Sequence, residues 1–340
     1  MSNFFNVYRR VTAHLAYARD MKRLAICNIS ALEIYRASGR LLPNLLEHPR
    51  TSKLDGCGMP PRVFLANEMT LLGATSHPYH LLVPNDSHRN PRDDVRCHAI
   101  SRQLPPRSLI ALRENVLISS PELLFTELAA ESDMNEVELA LLGYELCGTY
   151  LLDSSWDGLT LTDAPCCSKQ NIQRIINHCA GVRGRQKAQR ALNLVHDASR
   201  SPMESSLCAL FTFPRSMGGL GIDGAELNGP VSTPLGPRRV DVLFRSLNVG
   251  LEYKGKKYHS IQQAARDDRR QNSIVGTGVH ILLVWYEDLV QKHLFKQLID
   301  AFARTAKLRI RVRSPQFEKR QNLLRIQLMP RIERYGDIVL

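Results

Sequence analysis

Apolar positions recur along this chain at two spacings, and each spacing predicts its own kind of element. The clearest period-two stretch comprises Val240–Phe244 and Val249–Tyr253, separated by Arg245-Ser246-Leu247-Asn248. Both runs are rich in β-branched or aromatic residues, the pattern of two strands joined by a tight turn. In an antiparallel hairpin closed by those four residues, Phe244 pairs with Val249 and Asp241 stands opposite Glu252. Alternation then predicts one apolar face: Val240, Val242, Phe244, Val249, Leu251 and Tyr253. The other face carries Asp241, Glu252 and Lys254 beside Leu243 and Gly250. Downstream, Ser260-Ile261-Gln262-Gln263 is a capping box that opens a helix to about Val275. Gly276 and Gly278 stop that helix, and Val279–Trp285 reads as a strand covered on both faces. Tyr286–Lys307 reads as one helix, Arg309–Arg313 as an edge strand with an arginine face, and Gln316–Leu328 as a last helix.

The front of the chain is less regular. Met1–Arg23 reads as helical, and Ser30-Ala31-Leu32-Glu33 as a capping box for a helix through Tyr35. Residues 41–62, rich in Pro, Gly and polar groups, read as a loop. His80–Pro84, Val95–Ile100 and Val116–Ile118 read as strands of a mixed sheet. Ser120-Pro121 starts a helix, Met134–Leu146 is an acidic amphipathic helix, and Asp153–Pro165 is a loop. Ser168–Cys179 and Gly184–His196 are two further helices. Ser201-Pro202-Met203-Glu204 is a complete capping box, and Gly218–Gly229 a glycine-rich connection with a short strand near Leu220–Leu227.

The fold class predicted is α/β, with an α+β front half. Residues 1–200 form one unit, 201–317 a second, and 318–340 a helix and tail. With 340 residues and 44% hydrophobic content, the chain can bury two cores. No apolar run approaches the ~18 residues of a membrane span, and the start lacks a secretion signal, so a cytoplasmic location is expected. The formal net charge is +12, of which +9 falls in residues 201–340. A basic surface of this kind suits a polyanionic partner. The eight cysteines match no zinc spacing and read as reduced, buried thiols. His77, His80 and His98 have no evident acid partner and read as structural or surface groups.

Two carboxylates directly opposed across a hairpin lie roughly 4.5–5.5 Å apart at Cβ, close enough to share a cation. Their repulsion calls for such a partner, and a hard ion such as Mg²⁺ or Mn²⁺ favours carboxylate oxygens.

These marks, Arg239-Val240-Asp241, then Glu252-Tyr253-Lys254-Gly255 with Tyr258-His259, then Asp267 and Arg270, then Gly278 before an apolar strand, resemble the PD-(D/E)xK nuclease superfamily. Within it, Ser201–Phe317 is similar to small domains related to very-short-patch mismatch repair endonucleases. The region before it more loosely resembles AbiEi-type antitoxins of abortive-infection systems. The resemblance implies a restriction-endonuclease-like αβββαβ core in the second unit and a bacterial defence or mobile-element setting. It implies a Mg²⁺- or Mn²⁺-dependent endonuclease acting on nucleic acid, DNA ahead of RNA. Asp241 and Glu252 would hold the ion, Lys254 would orient the attacking water or stabilise the transition state, and Glu204 would be an accessory ligand. Capping explains Glu204 equally well. Lys256, Lys257, His259 and Arg270 are candidates for phosphate contact, as are Arg183, Arg185, Lys187 and Arg190 around the second helix of residues 168–196. Room remains for a protein or guide partner and for a homodimer. The rival from another class is a DNA-binding regulator or antitoxin-like protein whose nuclease fold is silent.

Overall fold

The structure, a computed structural model, describes residues 22–90, 92–100, 102–153, 158–234, 236–255, 276–310 and 314–333. In chain order the front half runs β1 (Leu24–Ile26), α1 (Asn28–Ser38), α2 (Leu42–Glu47), β2 (Arg50–Thr51), α3 (Arg62–Leu72), β3 (Tyr79–Val83), β4 (Val95–Ala99), β5 (Leu109–Arg113) and β6 (Val116–Ser119). Helices α4 (Pro121–Ala129) and α5 (Glu136–Leu146), hairpin β7 (Tyr150–Leu152) and β8 (Leu159–Leu161), and helices α6 (Lys169–His178) and α7 (Arg185–Asn193) follow. The back half runs α8 (Pro202–Thr212), β9 (Ala225–Thr233), β10 (Gly236–Phe244), β11 (Val249–Lys254), β12 (His280–Trp285), α9 (Tyr286–Val290), α10 (Lys292–Thr305) and α11 (Pro315–Glu333).

The architecture is mixed α/β. A six-stranded sheet has the order β2-β5-β6-β1-β3-β4, and a four-stranded sheet the order β12-β11-β10-β9. In the first, β1 runs parallel to β6 and antiparallel to β3, and its interior place buries Leu24, Ala25 and Ile26. Several helix starts follow from their predicted caps. Ser120 Oγ accepts the Leu123 N–H, Ser168 the Asn171 N–H and Ser201 the Glu204 N–H. Asn135 and Glu138 form a reciprocal capping box at α5. Helix α5 is buried almost all round rather than amphipathic, and lies between the halves. Tyr144 on it donates to the Leu194 carbonyl at 3.0 Å, and the hydroxyls of Tyr150 and Ser205 share a hydrogen bond of 3.0 Å. One buried apolar cluster extends from Leu24 to Met329, so the two sheets are joined by a continuous core.

Several expectations are corrected. Helix α1 starts two residues before Ser30, whose hydroxyl accepts the His80 N–H while Glu33 accepts the N–H groups of Thr75 and Ser76. The expected loop 41–62 contains α2 and β2, and the loop 153–165 contains β8. Strand β9 begins at Ala225, five residues later than expected, after a connection stapled to α8 by the Leu220 and Ile222 N–H groups. The helix expected over 286–307 is broken at Gln291, and residues 308–310 form no strand. The last helix, expected over 316–328, is present as α11 and is docked: Arg325 donates to the Leu289 carbonyl at 2.8 Å and lies 5.1 Å over the Phe295 ring. Met1–Met21, the helix from Ser260 to Val275 and residues 311–313 lie outside the described residues. The cysteines are free, and all but Cys97 are buried, as expected. His80 and His98 hydrogen-bond each other at 3.0 Å, and burial holds His98 down at about 4.

The start of α1 makes a pH prediction. Cys27 offers no side-chain cap, so the Asn28 N–H is met instead by Glu127 Oε2 at 3.0 Å, and Ser119 donates to Oε1 at 2.7 Å. Burial nonetheless pushes the Glu127 carboxyl up to about 7. A carboxyl whose folded pKa is raised binds more protons folded than unfolded. Stability is therefore full below about pH 4.5 and falls as pH rises toward 7, by at most about 3 kcal/mol. Urea midpoints measured from pH 4.5 to 7.5 should show this slope, and Glu127→Gln should flatten it.

Candidate active site

The candidate site sits where β10 leaves β11. The ladder pairs Phe244 with Val249, Leu243 with Gly250 and Val242 with Leu251, the register read from the turn residues. Carried one step further, that register sets Asp241 opposite Glu252. Instead of continuing as a backbone ladder, Asp241 Oδ2 accepts the Tyr253 N–H at 2.9 Å. Strand β11 stays anchored on its other side by parallel pairing with β12, Glu252 with Leu283 and Lys254 with Trp285. Glu252 is buried, and its Oε2 lies 3.8 Å from the half-buried Lys254 ammonium. Asp241, Glu252 and Lys254 are thus brought together at one end of the hairpin.

The predicted apolar face is corrected at Val240. A Cβ placed on Gly250 would lie 2.6 Å from Val240 Cγ1, so Val240 shares the face of Gly250 and Leu243. Val242 and Phe244 face the other way, where Phe244 meets Phe211 at 6.3 Å and Phe302 at 5.2 Å between ring centroids. Period-two alternation needs an unbroken ladder, and here the pairing of β10 with β9 skips Asp241 while its pairing with β11 ends at Val242. Opposite it on β9, Asn228 has φ 49°, the left-handed region that Asn tolerates better than most residues. Asn228 is a backbone irregularity beside the site that the sequence reading missed. Its signal was the Asn228-Gly229 dipeptide, a marker of positive φ, inside a β-like stretch.

Glu204 acts through that same residue. Its Oε2 accepts from the Asn228 side-chain amide at 2.6 Å and from the Arg200 N–H at 2.9 Å, and Ser201 Oγ donates to Oε1 at 3.2 Å. Burial raises its pKa despite these donors. The reciprocal capping box is displaced by one residue, because the carboxylate accepts the Arg200 N–H rather than the Ser201 N–H. Glu204 also does not join Asp241 and Glu252: among the described residues no group of three or more His, Cys, Asp or Glu side chains gathers as a metal site. Glu204→Ala should cost about 1–3 kcal/mol in urea unfolding by removing the acceptor of the Arg200 N–H and one of the two acceptors of the Asn228 amide, which keeps the Ala198 carbonyl, whereas Glu204→Gln should keep most of that stability.

Of the basic residues around α7, Arg185 and Lys187 are spent on backbone carbonyls, whereas Arg183 and Arg190 are exposed. Arg185 Nε donates to the Ile176 carbonyl at 3.1 Å, ending α6. Lys187 Nζ donates to the carbonyls of Glu131 and Met134 at 2.5 and 2.7 Å, and Arg190 pairs with Glu136. Arg183 is exposed. Lys256, Lys257, His259 and Arg270 lie outside the described residues. Strand β12 is an edge strand and not covered on both faces: Leu283 is 37% and Trp285 43% exposed. Comparison with family models, with curated proteins and with solved structures gives no match.

Proposed function

We propose that the chain is a metal-dependent nucleic-acid phosphodiesterase, a DNA endonuclease in preference to an RNase, with its second unit a restriction-endonuclease-like core of the PD-(D/E)xK kind. The observation that carries this reading is the grouping of Asp241, Glu252 and Lys254 at the end of one hairpin. The connectivity α8, β9, β10, β11, then β12 parallel to β11, supports it. Two carboxylates are hard oxygen donors suited to Mg²⁺ or Mn²⁺, so Asp241 and Glu252 would hold the ion, with coordination completed by water and substrate oxygens. A bound ion of this type lowers the pKa of water and stabilises charge on phosphate during in-line displacement.

The chain's own residues divide the remaining work. The Tyr253 N–H fixes the Asp241 carboxylate, and pairing with β12 fixes Glu252 and Lys254. Lys254, already drawn to Glu252, is placed to donate to a phosphate oxygen whose charge grows as the bond breaks. The excess of basic residues in the back half supports a polyanionic substrate. Supercoiled plasmid and labelled oligonucleotides, DNA and RNA, incubated with Mg²⁺ or Mn²⁺ and with EDTA test this. Metal-dependent cutting of DNA is expected; no cutting of either polymer with either metal would overturn the activity.

One observation favours a second reading, a DNA-binding regulator with a silent nuclease fold. Asp241 already carries the Tyr253 N–H, a structural task that a retired catalytic carboxylate could keep. Salt-sensitive DNA binding without cutting is its signature.

A further inference from the structure

A cleft of about 440 Å³ opens in the front half, far along the chain from the carboxylate pair. Its charged lining is Arg50, Arg107, Arg174 and Glu122, and Leu46, Pro106 and Ile175 supply an apolar wall. Each arginine arrives from a different element. Arg50 opens the outer strand β2, and its Nη1 lies 3.2 Å from both oxygens of Glu122. That pair is largely buried, with 18% and 6% of the side chains exposed, so Arg50 is fixed and offers its remaining N–H donors to the cleft. Arg174 stands one helical turn from Asn171 on α6 and is held by it at 3.2 Å; neither of its described contacts is a carboxylate. Arg107 sits in the β4–β5 connection with φ 60°, a costly backbone for a long side chain. It pairs with no described acid. The same connection is tethered to the end of α6 by Arg102, which donates to the Ala180 carbonyl at 2.7 Å.

We propose that this cleft binds a phosphate monoester attached to an organic group, such as a free nucleotide or the 5′-phosphorylated end of a nucleic acid. Three guanidiniums against one carboxylate leave two positive charges, matching the −1.5 to −2 that a monoester carries near pH 7. A diester phosphate, with a single charge, leaves one unmet. Planar guanidinium forks approaching from several sides suit a tetrahedral oxyanion better than one carboxylate. The volume falls in the range of small-ligand sites, and Leu46 and Ile175 give the organic portion a surface to lie on. The inference stands whether or not the hairpin site cuts.

The test is calorimetric titration of the full chain with thymidine monophosphate, thymidine and inorganic phosphate. Oligonucleotides with and without a 5′-phosphate are titrated in parallel. Both phosphorylated probes are expected to outbind their unphosphorylated partners at least about tenfold, and binding of either one supports the proposal while naming the source. Arg107→Ala and Arg174→Ala should each weaken the phosphorylated probe about tenfold or more with unchanged melting, since both side chains are exposed. Arg107→Lys, which keeps the charge, should retain part of the affinity. Equal binding of phosphorylated and unphosphorylated probes, no saturation at millimolar concentration, or full affinity in the double alanine variant would overturn it.

Discussion

Lys254→Ala is expected to lower metal-dependent DNA cleavage at least about 100-fold while leaving the fold and DNA affinity nearly intact. The ammonium is half-buried and 3.8 Å from Glu252, and a donor aimed at developing phosphate charge is worth about 10²–10³ in rate. Its loss removes no apolar packing of consequence, because the apolar side of β11 is carried by Val249 and Leu251. Asp241→Ala should be at least as damaging to cutting, and should also loosen β11 by freeing the Tyr253 N–H. The decisive readings are single-turnover cleavage with Mg²⁺, DNA binding in its absence, and circular dichroism for each variant. Cutting that survives Lys254→Ala at the parent rate removes the assigned role. Cutting lost by Lys254→Ala only together with binding would make the residue a phosphate contact rather than part of the chemistry.

Arg36→Ala carries the largest expected effect on stability, about 3–5 kcal/mol. Glu145 is 1% exposed at its side chain, and Arg36 reaches it through two hydrogen bonds of 2.8 and 2.7 Å. Glu145 Oε1 also accepts the Leu152 N–H at 3.0 Å, at the turn end of β7. Removing the guanidinium leaves a carboxylate in the interior with its main charge partner gone, the costly way to break a buried pair. Arg36→Ala with Glu145→Gln should recover a substantial part, since the remaining amide can still accept from Leu152. Chemical unfolding of both variants measures this. A loss under 1 kcal/mol for the single variant would show that water reaches the pair and screens it.

The hairpin was legible from sequence because its information is local: four turn residues fix the register, and the register fixes which carboxylates meet. The helix starts at Ser120, Ser168 and Ser201 were legible for the same reason. Legibility failed wherever a distant partner decides. Nothing near Ser30 tells that Glu127, almost a hundred residues on, meets the Asn28 N–H and lets α1 begin earlier. Arg185, Lys187 and Arg190 read as a charged face because the carbonyls and the carboxylate they serve lie in other segments. The run Val279–Trp285 looked doubly covered, yet composition alone cannot distinguish an interior strand from an edge with exposed Leu283 and Trp285. Helix α3 and strand β5 went unread although both are rich in apolar residues: only Leu65 and Met69 of α3 are buried, so its apolar positions mark no single face.

The left-handed residue at Asn228 gives the carboxylate pair an unusual sensitivity. Asn228→Gly keeps the hand of the chain and would forfeit the amide's hydrogen bonds to Glu204 and to the Ala198 carbonyl. A valine there would favour an unkinked strand, and the pleat would resume its count through position 241. Val240 would then turn off Gly250, and the acid beside it would swing away from its neighbour on β11. The aim of the Asp241 carboxylate, the oxygen proposed to bind an ion, would thus hang on the handedness of one peptide unit in a neighbouring strand.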